Sequence, residues 1–218
     1  AEIFEIELTG KGGHGALPHT AVDPIVCAAQ IINALQTIVS RNANPLETAV
    51  VSVTEIKAGD TYNVIPGRLF MQGTIRSFDA GVREVVLRRF EEIVRLTAGA
   101  GGCQAAIKFT AISPAVVNHP AVSALVRAAA AEVLPELVVD REFRTMGSED
   151  MALVNELVPG CYFMVGSANA EKGLDFGHHH PRFDFDERVL TSGAALMCAA
   201  AVELAGSDRF RHLLQVGA

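Results

Sequence analysis

His14 lies in the run Gly10-Lys11-Gly12-Gly13-His14-Gly15, between an alternating apolar segment and a helical pattern. Glycines let a backbone turn sharply and approach a ligand closely. Such a loop can hold an imidazole with little side-chain cover; a strand-to-helix turn with an incidental histidine is the plainer alternative. Gly10, Gly12 and Gly15 also satisfy the dinucleotide spacing G-x-G-x-x-G. That fingerprint needs a helix opening inside the glycines and an acid about 20 residues on. Pro18 and His19 delay the helix, and no Asp or Glu occurs between Asp23 and Glu47, so nucleotide binding is not expected.

Four further constellations can carry chemistry. Asn63, in the polar loop 59–67 between two apolar segments, has both a donor and an acceptor and suits orienting a carbonyl or a histidine; a turn cap is its other role. Arg76 is flanked by the apolar Ile75 and stands near Phe78. A guanidinium there is shaped for a bidentate grip on a carboxylate, or is an edge-strand charge. The triplet His178-His179-His180 precedes Pro181. Neutral imidazole binds Zn, Mn, Co and Ni, but adjacent side chains diverge, so the other ligands must come from elsewhere. Asp186 and Glu187 are candidate helix N-cap acids. In Met146-Gly147-Ser148-Glu149-Asp150, Ser148 can cap a helix with acids in its first turn, or the stretch can wall a site. No Ser-His-Asp or Cys-His arrangement is legible.

The elements that must position these residues read as two regions. Residues 2–9 alternate, with Phe4, Ile6 and Leu8 on one face. A helix is expected over 23–40, with Pro24 in its first turn and a stripe of Ile25, Ala29, Ile32, Leu35 and Val39. Strands follow at 47–57 and 68–77, then a helix at 81–97 and a strand at 103–112. The order β-α-β-β-α-β is the ferredoxin-like sandwich. After Ser113-Pro114 come a helix at 120–133, short strands at 137–139 and 161–165, a helix opening at Ser148 and a long helix at 187–205. This is half of an α/β layer, with too few strands to cover its helices.

Composition narrows the partners. Lys plus Arg is 18 and Asp plus Glu is 25, a net charge of −7, which argues against nucleic acid and against a polybasic membrane patch. Apolar residues make up 50%, before the 19 glycines, which excludes disorder; part of that surplus is surface to be covered by something else. The longest uninterrupted apolar run, 194–202, is short of the roughly 20 residues that cross a bilayer, and no signal peptide is visible. Cys27, Cys103, Cys161 and Cys198 form no CxxC pair. They read as four small buried hydrophobes in a reducing, cytoplasmic setting.

In order along the chain stand GKGGHGALPHTAVDP (10–24), AGDTYNVIPG (58–67), GTIRSF (73–78), MGSEDM (146–151) and HHPRFDFDE (179–187). Together they resemble the metallo-aminoacylase and carboxypeptidase family, in its hippurate-hydrolase-like amidohydrolase branch. The resemblance implies a two-metal α/β catalytic domain with an inserted ferredoxin-like lid that makes a homodimer. Residues 1–113 are similar to the lid, and 114–218 to the C-terminal portion of the catalytic domain. It implies hydrolysis of N-acyl amino acids through a metal-bound water. By position, His14 would polarise the scissile carbonyl of the partner subunit's substrate, with Asn63 beside it. Arg76 would grip the substrate carboxylate, Glu149 would line the site, and His179 would be a ligand to a divalent metal (Zn, Mn, Co or Ni).

The family's Cys-Gly-His-Asp and Glu-Glu signatures are absent from these residues. The chain is therefore expected to be a piece of such an enzyme, without amidase activity or a tight metal site of its own. The rival expectation is a non-catalytic dimerisation or binding module that keeps the lid fold.

Overall fold

Every second side chain of β1 (Glu2–Thr9) is withdrawn from solvent: Phe4, Ile6 and Leu8 are fully buried, while Ile3 and Glu7 are exposed. Successive strand side chains point to opposite faces, so the alternation places one face on a core. In the computed structural model, which describes residues 1–207, β1 runs antiparallel to β5 (Arg68–Ser77) on one side and β6 (Gln104–Ala111) on the other. With β3 (Ala49–Ala58) outside β5, the sheet order is β3-β5-β1-β6. Helices α1 (Pro24–Thr37) and α2 (Ala80–Ala100) complete the expected βαββαβ order. A second, two-stranded sheet, β2 (Gly13–His14) against β4 (Val64–Ile65), was not anticipated.

Both α1 and α2 open on an aspartate. Asp23 accepts from the Ile25 amide at 2.8 Å and Asp79 from the Val82 amide at 2.8 Å, satisfying amides that have no partner within the helix. The stripe expected on α1 is displaced: Pro24, Cys27, Ala28, Ile31 and Leu35 face inward, while Ile25, Val26 and Val39 are exposed. α1 is apolar around much of its circumference, so periodicity alone does not choose the buried side. It also stops short of residue 40, because its last turn widens into a π-turn over Ile38–Asn42. α2 ends at Gly101 and Gly102, where Gly102 takes φ +74° to turn the chain into β6. Phe90 of α2 stands between Phe4 and Phe109, with ring centroids 4.6 and 5.5 Å away.

These elements make the unit Ala1–Ala115, which also takes in Thr145–Glu149. The helix-free face of its sheet is polar, with Glu7 paired to Arg68 at 3.3 Å and Glu5 to Lys108 at 3.1 Å.

The second unit is Val116–Arg144 with the residues from Asp150 onward. It holds α3 (Pro120–Val133), α4 (Met151–Leu157) and α5 (Arg188–Gly206). α3 lies along α5 around the buried Val122, Val126 and Ala200. The strands expected at 137–139 and 161–165 do not form. A strand needs a neighbour to take its backbone bonds. At Tyr162 a side chain takes that place: the Asn118 amide donates to the Tyr162 carbonyl at 2.7 Å and accepts from its N–H at 2.8 Å. The helix expected to open at Ser148 begins at Met151 instead.

Two of the cysteines depart from expectation. Cys27 and Cys103 are buried, whereas Cys161 is half-buried and Cys198, on α5, is exposed. Burial, reinforced by the Cys103 thiol alongside, pushes the Cys27 thiol up to about 11. By length and composition α5 is apolar enough to cross a membrane. The uninterrupted-run criterion missed it because Thr191, Ser192 and Gly193 break the run. The same composition suits a helix packed in a soluble protein, and α5 packs on α3 here.

Candidate functional site

The unforeseen two-stranded sheet ties the His14 loop to the Asn63 loop. His14 pairs with Val64 and Gly13 with Ile65, and the Gly15 amide donates to the Asn63 carbonyl at 2.8 Å. Glycine serves close packing here rather than an unusual φ. A Cβ on Gly15 would sit 3.1 Å from the Asn63 carbonyl oxygen, and one on Gly13 would sit 2.9 Å from the Ala21 methyl. Of the glycines in these two loops, only Gly59, at the mouth of the second, takes a left-handed conformation, at φ +71°.

Both side chains are oriented by their own loops. His14 Nδ1 accepts from the Ala16 amide at 3.0 Å. A neutral imidazole with an acceptor at Nδ1 carries its proton on Nε2, so the exposed edge of His14 is a hydrogen-bond donor. Asn63 Oδ1 accepts from the Thr61 hydroxyl at 3.3 Å, which turns its NH₂ outward as a second donor. Donors carried on two loops tied together by backbone bonds suit an oxygen that gains negative charge.

Arg76 stands on the helix-free face of the sheet, opposite Val50 on β3. Its Nη1 donates to the Met146 carbonyl and to the Ser148 hydroxyl, both at 2.8 Å, across about 70 residues of sequence. Ser148 therefore holds a guanidinium instead of capping a helix. The Nε and Nη2 edge has no partner among the described residues and is the edge left for a carboxylate. Arg76 and Ser148 line an open hollow of about 390 Å³ with Ile3, Thr54, Gln72 and Thr74. Glu149 follows Ser148, exposed, in the same unit.

His179 belongs to the second unit. It has φ +67°, the one non-glycine residue of positive φ among those described. Such conformations cost free energy and persist where the surroundings impose them, often at functional sites. Its neighbours are engaged: the His180 ring stacks on Phe176 at 4.4 Å, and His178 meets the edge of Phe183 at 4.8 Å. His179 has no side-chain partner among the described residues and stays available as a ligand. Among those residues no three His, Cys, Asp or Glu side chains gather around one point, so they fit a single position of a metal shell and not a whole one.

Residue type pointed to His14, Asn63, Arg76 and the triplet 178–180, the resemblance singled out His179, and the partners that orient His14, Asn63 and Arg76 were missed. For Thr61 the signal was local, a hydroxyl two residues before an asparagine in a turn. For Ser148 there was none, because its partner lies on a distant strand.

Residues 4–101 match the family model of the peptidase dimerisation domain. The N-acetyl-L-cysteine deacetylase of Bacillus subtilis is 38% identical over 205 residues, 94% of this chain and 48% of that protein. Thermostable carboxypeptidase 2 of Saccharolobus solfataricus is 36% identical over 203 residues, 93% of this chain and 51% of that protein. The crystal structure of the Bacillus subtilis YXEP protein, a dinuclear metal-binding peptidase from the M20 family, superposes with a TM-score of 0.69 at 31% identity, covering 92% of this chain and 49% of that one. The chain thus spans about half the length of the curated relatives it matches.

Proposed function

We propose, from the premise that the chain belongs to the M20 peptidase family, that it forms the lid and the C-terminal catalytic portion of a metal-dependent hydrolase of N-acyl amino acids. Residues 1–113 are the lid, through which the protein dimerises, and 114–218 belong to the catalytic domain. The four cysteines are free thiols, which fits a cytoplasmic setting.

The observation that carries this reading is the backbone ladder joining His14 to the Asn63 loop, with both side chains turned outward as donors. The His14 Nε2–H and the Asn63 NH₂ hold the scissile carbonyl oxygen and strengthen their hold as it becomes an oxyanion. Neither gives up its proton. Arg76, steadied by Ser148, takes the substrate carboxylate through Nε and Nη2 and sets the amide in place. Glu149 lines the same site. His179 supplies one ligand to a divalent metal, Zn, Mn, Co or Ni, whose chemistry when bound is to polarise the substrate and activate water. The remaining ligands and the proton acceptor fall to groups outside the described residues.

The test is hydrolysis of hippurate and N-acetyl amino acids by the full-length protein, beside the matching C-terminal amides. Arg76→Ala should lower kcat/KM for the free acids about 10–100-fold, the worth of a charged hydrogen-bonded grip, and spare the amides. Equal loss on both substrates would make Arg76 structural. No turnover of any N-acyl amino acid by the full-length protein would leave the binding-module reading in its place.

A further inference from the structure

The loop that carries His179 is tied at its neck by one buried carboxylate. Asp186 is 7% exposed. Its backbone N–H donates to the Ser167 carbonyl at 2.9 Å, joining the two ends of the loop. Its side chain draws in both ends as well. Asn169 Nδ2 donates to Oδ2 at 2.6 Å, and Lys172 Nζ approaches both oxygens at 3.2 and 3.3 Å, both from the outgoing limb of the loop, at its 3-10 turn. From the start of α5, Arg188 donates through Nη2 at 2.6 Å, through Nε at 3.0 and 3.1 Å, and through its backbone N–H at 3.2 Å. The hydrogen bonds from Arg188, followed by that from Asn169, hold the carboxyl well below the usual carboxylate range.

Beyond the neck the loop is folded on itself. The Asn169 and Leu174 backbones bond reciprocally at 2.8 and 2.9 Å, with Gly173 at φ +70° between them. Farther out, Phe176 carries His180 on its ring, and the Arg182 guanidinium sits 3.9 Å from its centroid. His180 Nδ1 accepts from the Arg182 amide at 3.1 Å. Two histidines of the triplet are thus consumed in building the loop. The third is presented from a left-handed backbone position that a slack loop would not impose.

We infer that Asp186 is a positioning residue for His179: its carboxylate closes the neck of the loop at 167–186 and so fixes where the imidazole stands. This rests on the reading of His179 as a metal ligand; the bond that Asp186 accepts from the Arg188 amide at the start of α5 is only part of its work, and Glu187 stands at the N-cap. Removing the carboxylate leaves Lys172 and Arg188 as two unpaired cations at the neck, which repel and open it.

Two measurements on the full-length protein test this. The first is hydrogen exchange without metal, on the wild type, Asp186→Ala and the milder Asp186→Asn. Faster exchange confined to 167–186, with the strands of the first unit unchanged, is expected. The second is Co²⁺ affinity by chelator competition together with the visible spectrum of bound Co²⁺, with His179→Ala as reference. Groups that orient a metal ligand typically change affinity 10–100-fold. Asp186→Ala should weaken Co²⁺ by about that factor and move the spectrum in the same direction as His179→Ala. Unchanged exchange in the loop overturns the neck. Unchanged Co²⁺ binding in Asp186→Ala, when His179→Ala weakens it, overturns the positioning role. If His179→Ala itself leaves Co²⁺ untouched, the ligand reading fails and the exchange result alone decides whether Asp186 ties the loop.

Discussion

His14 presents a donor rather than an acceptor because the Ala16 amide occupies its other nitrogen. That hydrogen bond turns an exposed histidine into a group of fixed polarity, and it leads to a definite expectation. His14→Ala in the full-length protein should lower kcat by about 10²–10³, the cost of one lost oxyanion donor. The far-UV circular dichroism should not change, since the ring is exposed. Near wild-type kcat would end the assignment. At this scale residue types were legible and orientations were not. A histidine among glycines and an asparagine in a polar loop are visible in a string of letters. The bond from Arg76 to Ser148 crosses from a strand to a distant segment, and no spacing rule reaches that far.

Elements were legible where one face is buried and a partner exists. The strand 68–77 and the helix 120–133 stand where periodicity put them, because apolar residues recur at the right interval and turn residues bound them. The segments 137–139 and 161–165 are as rich in β-formers, yet they stay irregular, since propensity cannot supply a neighbouring strand. Gly73 carries a further constraint that the strand pattern hides. A Cβ there would run into the Ser52 carbonyl oxygen and come within 2.6 Å of the Phe4 ring. Gly73→Ala must push β3 away or drive Phe4 from its place, and is expected to cost about 1–3 kcal/mol or more. Gly99, in α2, has nothing within 4 Å of an added Cβ, so Gly99→Ala should stabilise by up to about 1 kcal/mol. Urea denaturation of the two variants should give opposite signs, and like signs would contradict the packing described for Gly73.

For the whole molecule, composition told of an apolar surplus without saying where it lies. Much of it is in the second unit, where Val138, Leu157 and Val202 are 91%, 81% and 74% exposed. In the first unit the edges of the sheet, β3 and β6, leave backbone groups free to pair with another chain. Sedimentation equilibrium of the purified protein should therefore give a dimer at micromolar concentration, and a monomer far above it would exclude the lid as a dimer module. One further property follows from how β1 and β6 lie side by side. The Ile112 amide bonds to the Ala1 carbonyl at 2.9 Å and the Ala1 nitrogen to the Ser113 carbonyl at 2.6 Å, so the two ends of the sandwich segment 1–113 meet. A fold whose ends meet can be spliced into a surface loop of an unrelated protein without prising that host apart. In the language of gene architecture it is a cassette: recombination can move it as a whole, and an engineer can graft it as one.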